Sequence, residues 1–374
     1  MINPAEFCKI LKKHNIMFYT GVPDSLLKNF CACLDNDNTI KNIISANEGA
    51  AIALAAGYYL STEKIGVVYM QNSGLGNAIN PLLSLADKDV YGIPMLLIIG
   101  WRGEPGIRDE PQHIKQGKIT DKLLETMGIP YKIISNISND FDKIINDAYQ
   151  YCIANSEPFA LLIRENTFEP YTDSQSRENK YVLERESAIK IIIENIEKDA
   201  VVISTTGKIS RELFELREQL KQPHFSDFLT VGSMGHASQI ALGIALNKSS
   251  KKVYCIDGDG AAIMHMGSIG IAGASSCTNY KHIIINNGAH DSVGGQPTVG
   301  FDIDFTGIAK ACGYKTALVS ENAEDIVYKI RKIKETEGPA LLEIKVKTGS
   351  RINLGRPSVA PMENKYDFME FLKK

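Results

Sequence analysis

Short apolar runs, separated by small-residue or polar stretches, set the rhythm of this chain. Residues 65–70 (Ile-Gly-Val-Val-Tyr-Met), 94–99, 159–163, 200–204, 252–256, 282–285 and 340–344 are predominantly apolar, with little alternation. Such runs predict strands buried on both faces, as in parallel sheets. Two stretches of small residues predict helices packed close to a sheet: Glu48-Gly49-Ala50-Ala51-Ile52-Ala53-Leu54-Ala55-Ala56-Gly57 and Gly235-His236-Ala237-Ser238-Gln239-Ile240-Ala241-Leu242-Gly243. Each is followed by a strand and then a glycine-rich turn, and the second copy lies about half a chain after the first. The pattern predicts an α/β protein of two related, doubly wound parallel-sheet domains. Polar, turn-forming residues cluster at Tyr171-Thr172-Asp173-Ser174-Gln175-Ser176-Arg177-Glu178-Asn179, so the expected division is residues 1–170, a linker over 171–184, and residues 185–374.

A length of 374 residues suits two domains of ordinary size, and 44% apolar with 23% charged residues is the balance of a soluble globular protein. No apolar run reaches the length of a bilayer span, and the first residues lack a basic region followed by an apolar stretch, which predicts a cytoplasmic protein. The formal net charge of −3 supplies no basic field for nucleic acid. Of seven cysteines only Cys31 and Cys33 lie close together. With no second pair to complete a zinc site, reduced thiols are expected.

The chemistry is concentrated in two clusters. Gly258-Asp259-Gly260 closes one predicted strand and Asn286-Asn287-Gly288 closes the next, with one helical stretch between. A strand, helix, strand crossover makes the strands parallel, so their carboxyl ends open on the same edge. A carboxylate, an amide oxygen and a backbone carbonyl, completed by phosphate oxygens and water, suit the octahedral shell of Mg²⁺. Alone, Gly-Asp-Gly is an ordinary turn. The pair at neighbouring strand ends is what points to a metal-held diphosphate. A dinucleotide site is disfavoured, because residues 258–263 and 74–79 place isoleucine where a third glycine or alanine is needed. Asp259 would also repel a bare pyrophosphate.

The spacing of these clusters resembles that of thiamine-diphosphate-dependent enzymes, and the resemblance runs over nearly the whole chain. It implies a first domain that binds the aminopyrimidine ring, a second that binds Mg²⁺-diphosphate, and active sites completed at the interface of a homodimer or a dimer of dimers. The metal ligands would be Asp259, Asn287 and the backbone carbonyl of Ala289. Glu48 would hydrogen-bond the pyrimidine ring nitrogen, favouring the imino tautomer that lets the cofactor act as its own base. Without the resemblance, Glu48 reads as a first-turn acid behind the cap Asn47. The carbonyl of Gly232 would accept from the 4′-amino group, and Met234 would bend the cofactor, where a methionine is otherwise core. Asn72, Thr206, Gly207, Gly258, Gly260 and Ala261 complete the implied cofactor site.

The chain has no third, central domain between the two, which narrows the resemblance to compact decarboxylases of strongly anionic 2-oxoacids. The expected reaction is non-oxidative decarboxylation of 3-phosphonopyruvate to phosphonoacetaldehyde and CO₂, with sulfopyruvate as the alternative substrate. Asp24, after the first strand, would manage protons, although it equally reads as a helix cap. His113 and His290 are further catalytic candidates. Ser25, Arg102, Arg108, Gln112, His113, Gly294 and Gln296 are the expected substrate-binding residues, and Lys115 extends a cationic lining suited to an anion, unless that segment is a solvated loop.

Overall fold

The computed structural model describes residues 1–172 and 179–374; residues 173–178, inside the expected linker, lie outside the described residues. The chain divides into two compact units, Met1–Ser176 and Arg177–Lys374.

The first unit carries β1 (Phe18–Gly21), β2 (Lys41–Ile44), β3 (Val67–Gln71), β4 (Leu96–Gly100), β5 (Tyr131–Ile134) and β6 (Phe159–Ile163) in one six-stranded sheet of order β2-β1-β3-β4-β6-β5. The second carries β7 (Val201–Ser204), β8 (Asp227–Leu229), β9 (Val253–Gly258), β10 (Tyr280–Asn286), β11 (Thr316–Ser320) and β12 (Ala340–Lys345), in the order β11-β12-β10-β9-β7-β8. Every pairing is parallel. Read from the opposite edge, the second order is second, first, third, fourth, sixth, fifth, which is the order of the first. The repeated helix, strand and turn in the sequence therefore reflects two sheets of the same topology.

The apolar runs explain why these strands are central. Along β3, Val67 and Tyr69 enter one core while Val68 and Met70 enter the other. The same alternation splits β10, where Ile283 and Ile285 face one core and Ile284 the other. A strand with both faces covered can carry no polar alternation, and each fully buried aliphatic side chain contributes roughly 1.5–3 kcal/mol.

The chain changes direction across the sheet between β1 and β3, and again between β7 and β9, and ligands of open α/β sheets bind at the carboxyl edge of such a switch. At the first switch Gly21 leads to Asp24 and Gln71 leads to Asn72. At the second, Ser204 leads to Thr205-Thr206-Gly207 and Gly258 leads to Asp259.

Two local expectations change. The Gly258-Asp259-Gly260 segment is a strand end running directly into the helix Asp259–Met264, and the crossover continues as a separate helix, Gly267–Ala274. The break falls at His265, whose ring lies 4.4 Å from that of His236. The small-residue helix expected from Gly235 begins at Ala237, because Ser233 and Gly235 have φ of 56° and 83°, left-handed values a right-handed helix cannot include. All seven cysteines are free thiols. Among the described residues no helix is long and apolar enough to cross a membrane.

Candidate active site

The second switch point assembles the predicted cation ligands. β9 and β10 pair with Gly258 opposite Ile285, so Asp259 and Asn287 stand side by side just past the sheet. Asp259, 2% exposed, opens its helix. Its carboxylate accepts from the Thr298 hydroxyl and from the backbone N–H of Asn287 and Gly260. No basic side chain is bonded to it among the described residues, and burial pushes its pKa up to about 6 despite those hydrogen bonds. A buried carboxylate with no counter-charge, beside an amide oxygen and a backbone carbonyl, fits a hard divalent cation. Asp259, Asn287 and the carbonyl of Ala289 could hold one.

Glycines keep this corner open. A Cβ on Gly260 would lie 2.9 Å from His290 Cε1 and 3.4 Å from Met234 Cε, and one on Gly300 would lie 2.7 Å from Asp259 Oδ2. Met234 thus reaches the expected diphosphate turn. Gly207 has φ of 93° and packs against Ser292, which lets its backbone approach a ligand closely where a side chain is excluded. Thr206 Oγ1 donates to the carbonyl of Val231, one residue before Gly232. The segment from Asn287 to Thr298 folds back on itself: Ala289 bridges Pro297, and the His290 N–H donates to the Gln296 carbonyl at 2.8 Å. Gln296 is 1% exposed with Oε1 unbonded. Gly294 lies in the bend with φ of 143°. His290 keeps some accessible surface, but the ring is enclosed and its pKa falls to about 4.

In the first unit Glu48 is the opening residue of the helix Glu48–Thr62, behind the cap Asn47, whose side chain accepts from Ala50 N–H at 2.9 Å. It is buried all the same. Asn77 Nδ2 donates to its Oε2 at 2.8 Å, while Oε1 lies against Gly74, which has no room for a side chain. One carboxylate oxygen is thereby fixed and the other directed towards the end of β3.

Arg102, just after β4, proves to be a bound fork rather than a free cation. Its Nε and Nη2 donate to Asp109 Oδ2 and Oδ1 at 2.8 and 2.5 Å, and its Nη1 donates to Ser25 Oγ at 2.7 Å. Asp109 also contacts His113 Nδ1 at 3.0 Å and accepts from Gly103 N–H at 2.8 Å. Burial alone would raise the Asp109 carboxyl, but those donors outweigh it and hold it well below the usual carboxylate range. Burial lowers His113 in turn, although Asp109 pulls the other way. Asn72 ties the same loop down, its amide bonding the Arg102 backbone N–H and carbonyl and the Thr120 hydroxyl. Gln112 lies partly buried with Oε1 unbonded, and Arg108 and Lys115 are exposed. The expected cationic lining is therefore one neutralised arginine with two outlying charges.

Asp24 is fully buried against Gly100, its Oδ2 accepting from Leu26 N–H at 3.0 Å and its Oδ1 unbonded. Burial pushes its pKa up to about 6, although Arg102 and three backbone N–H groups oppose the shift. Residues that the sequence did not single out also stand here. Asp109 organises Arg102 and His113, Thr298 holds Asp259, and Asp291 holds Asn287 through its Nδ2 at 2.7 Å. The i, i+4 spacings of Asp109 with His113 and of Asp291 with Asn287 are the local signals for these residues.

Each α/β unit thus places a buried carboxyl at the carboxyl edge of its sheet's switch point, where such folds bind cofactors. Residues 5–124 match the thiamine pyrophosphate enzyme N-terminal TPP binding domain and residues 205–344 the C-terminal TPP binding domain. The chain belongs to the thiamine pyrophosphate (thiamine diphosphate) enzyme family. It is similar along its length to phosphonopyruvate decarboxylase of Streptomyces viridochromogenes, 33% identical over 391 residues, covering 100% of this chain and 95% of that one. The Streptomyces hygroscopicus protein of the same name is 33% identical over 390 residues, with 99% and 94% covered. Sulfopyruvate decarboxylase of Methanosarcina acetivorans is 26% identical over 402 residues, with 100% and 98% covered.

Proposed function

We propose that the protein is a carboxy-lyase that uses thiamine diphosphate and Mg²⁺ to convert 3-phosphonopyruvate to phosphonoacetaldehyde and CO₂. The observation that carries this reading is Asp24, a fully buried carboxyl with a pKa near 6 and a free oxygen, in the field of an arginine fork at the first sheet's switch point. The end-to-end similarity to phosphonopyruvate decarboxylases supports the choice of substrate.

The thiazolium ring of the bound cofactor supplies the electron sink for loss of CO₂. The chain's own residues do the rest. Glu48 would hydrogen-bond the pyrimidine ring nitrogen, with Asn77 keeping its Oε2 in place. Asp259, Asn287 and the Ala289 carbonyl would hold Mg²⁺, with Thr298 fixing the Asp259 rotamer. Thr206, Gly207, Gly232, Gly258 and Ala261 would line the cofactor, and Met234 would serve as its apolar wedge. Arg102, Ser25, Gln112, Gly294 and Gln296 receive the anionic substrate, with Arg108 reaching in from the exposed loop. Asp24 Oδ1 carries the proton that the decarboxylated product takes up. His113 and His290, both pushed towards the neutral form, act as uncharged hydrogen-bond partners.

The working assembly is a homodimer or a dimer of dimers with active sites at the subunit interface. Support comes from an open groove of about 910 Å³ along the Glu48 helix, lined by Phe18, Ile43, Ala53, Leu54 and Tyr58. Sedimentation analysis should give an even number of subunits.

Steady-state assays on phosphonopyruvate, sulfopyruvate and pyruvate test the reaction. The highest kcat/KM is expected for phosphonopyruvate; preference for sulfopyruvate overturns the substrate assignment, and no CO₂ release from any of the three overturns the reaction.

A further inference from the structure

A side-chain amide can ligate a cation only through its oxygen, yet its two ends are almost the same size and shape. Something must decide which end of Asn287 faces the metal. In the second unit, one carboxylate oxygen, Asp291 Oδ2, takes three donors: Asn287 Nδ2 at 2.7 Å, Arg185 Nη1 at 2.8 Å and the Gly349 N–H at 3.0 Å. Arg185, 5% exposed, closes its fork on Glu212, 1% exposed, through Nε at 2.7 Å and Nη2 at 2.8 Å. Its Nη2 also donates to the Gly349 carbonyl at 3.2 Å. These residues come from the start of the helix Arg185–Asn195, the helix Lys208–Gln219 and the segment after β12, all converging on one amide.

We propose that Asp291, held by Arg185, is the positioning residue that fixes the Asn287 amide so that Oδ1, and not Nδ2, faces the cation. A flipped amide would set Oδ1 against a carboxylate oxygen already crowded with donors, an unfavourable contact between like partial charges in a buried site. In the observed orientation Oδ1 accepts, among the described residues, only the Ala289 N–H at 3.2 Å, so it retains a lone pair for a metal. Arg185 holds the carboxylate in place, and Glu212 satisfies the rest of the guanidinium, so no charge in the chain of contacts is buried alone. Outer contacts of this kind, through which one residue orients a ligand, commonly affect metal affinity about 10- to 100-fold.

The inference rests on the cation site proposed above, so its test separates the two. The whole protein is titrated with Mg²⁺ at saturating thiamine diphosphate, and the midpoint is read both by calorimetry and by the rise in unfolding temperature. Asn287→Ala tests the ligand itself: an unchanged midpoint overturns the cation site. Asp291→Asn tests the positioning: the midpoint should rise about 10- to 100-fold, and an unchanged midpoint, with Asn287→Ala shifted, overturns the positioning role alone. The decisive variant is the exchange Asn287→Asp with Asp291→Asn. An aspartate has two equivalent oxygens and needs no orienting partner, while the new asparagine can donate to it. The exchange should return the midpoint to within about threefold of the parent, where Asn287→Asp alone, setting two carboxylates together, should not. An exchange variant no better than the Asn287→Asp single variant overturns the proposal, and this comparison stands even if Asp291→Asn alone fails to fold.

Discussion

The carboxylate of Asp24 occupies the space into which a Cβ on Gly100 would project, so the end of β4 is kept bare for the end of β1. Gly100 is thus part of the site without offering a functional group. Gly100→Ala should force Asp24 off its rotamer or shift the strand end, costing about 1–3 kcal/mol. The urea midpoint and kcat should fall together; an unchanged kcat would separate Asp24 from the chemistry.

The buried carboxyls make the cofactor-free protein sensitive to pH in an uncommon direction. Asp24 and Asp259 titrate near 6 in the fold, against 3.8 for an unperturbed aspartate. Below about pH 4 both states hold the protons and the native state has its full advantage. As the pH rises, the unfolded chain releases them first, so stability falls until about pH 6 and then levels off, by on the order of 2–3 kcal/mol per group. Asp259→Asn should therefore be more stable than the parent at pH 8 without cofactor, yet gain nothing from Mg²⁺. Urea unfolding from pH 4 to 8, with and without the cation, checks both halves.

Glu48 is held by Asn77 through Oε2, while its Oε1 lies against Gly74. Glu48→Gln keeps the shape and the Asn77 contact but loses the acid, so turnover should drop by about 10²–10⁴-fold. Binding of Mg²⁺ and thiamine diphosphate, measured by calorimetry, should change little. Turnover within a few-fold of the parent would remove Glu48 from the mechanism.

Asp109 raises the His113 pKa against the dominant effect of burial. Asp109→Asn should lower it further, a direction that NMR titration of the imidazole reads without any substrate. The same change loosens the Arg102 fork and should raise KM for phosphonopyruvate about tenfold, near the worth of one charge-assisted hydrogen bond. A rise in the His113 pKa would contradict the network.

The strands that apolar runs made legible, β3, β4, β6, β7, β9, β10 and β12, lie inside their sheets. Of the five without such a run, β2, β5, β8 and β11 are the four outermost strands of the two orders, and the fifth, β1, is an interior strand of only four residues, Phe18–Gly21. An edge strand is covered on fewer sides, so Lys41, Asn42 and Lys132 keep contact with solvent there, whereas Lys281 in the central strand β10 is buried only with its ammonium bonded to the Thr336 and Gly338 carbonyls. The site divides along similar lines. Asp259, Asn287 and Glu48 are visible because each must sit at a strand or helix end beside small residues. Arg102 reads as a free cation in sequence because its partner is undetermined there, and Arg185 carries no local pattern, since its bond to Asp291 joins residues 106 positions apart.

The shared strand order has a consequence for how the protein is made. Neither sheet borrows a strand across the division between residues 176 and 177, so a break in the polypeptide there would cost neither sheet a rung of its ladder. The peptide connection acts as a counting device. Each translated chain delivers one unit bearing Glu48 for every unit bearing Asp259, a ratio that two separately made polypeptides would have to reach by matched expression.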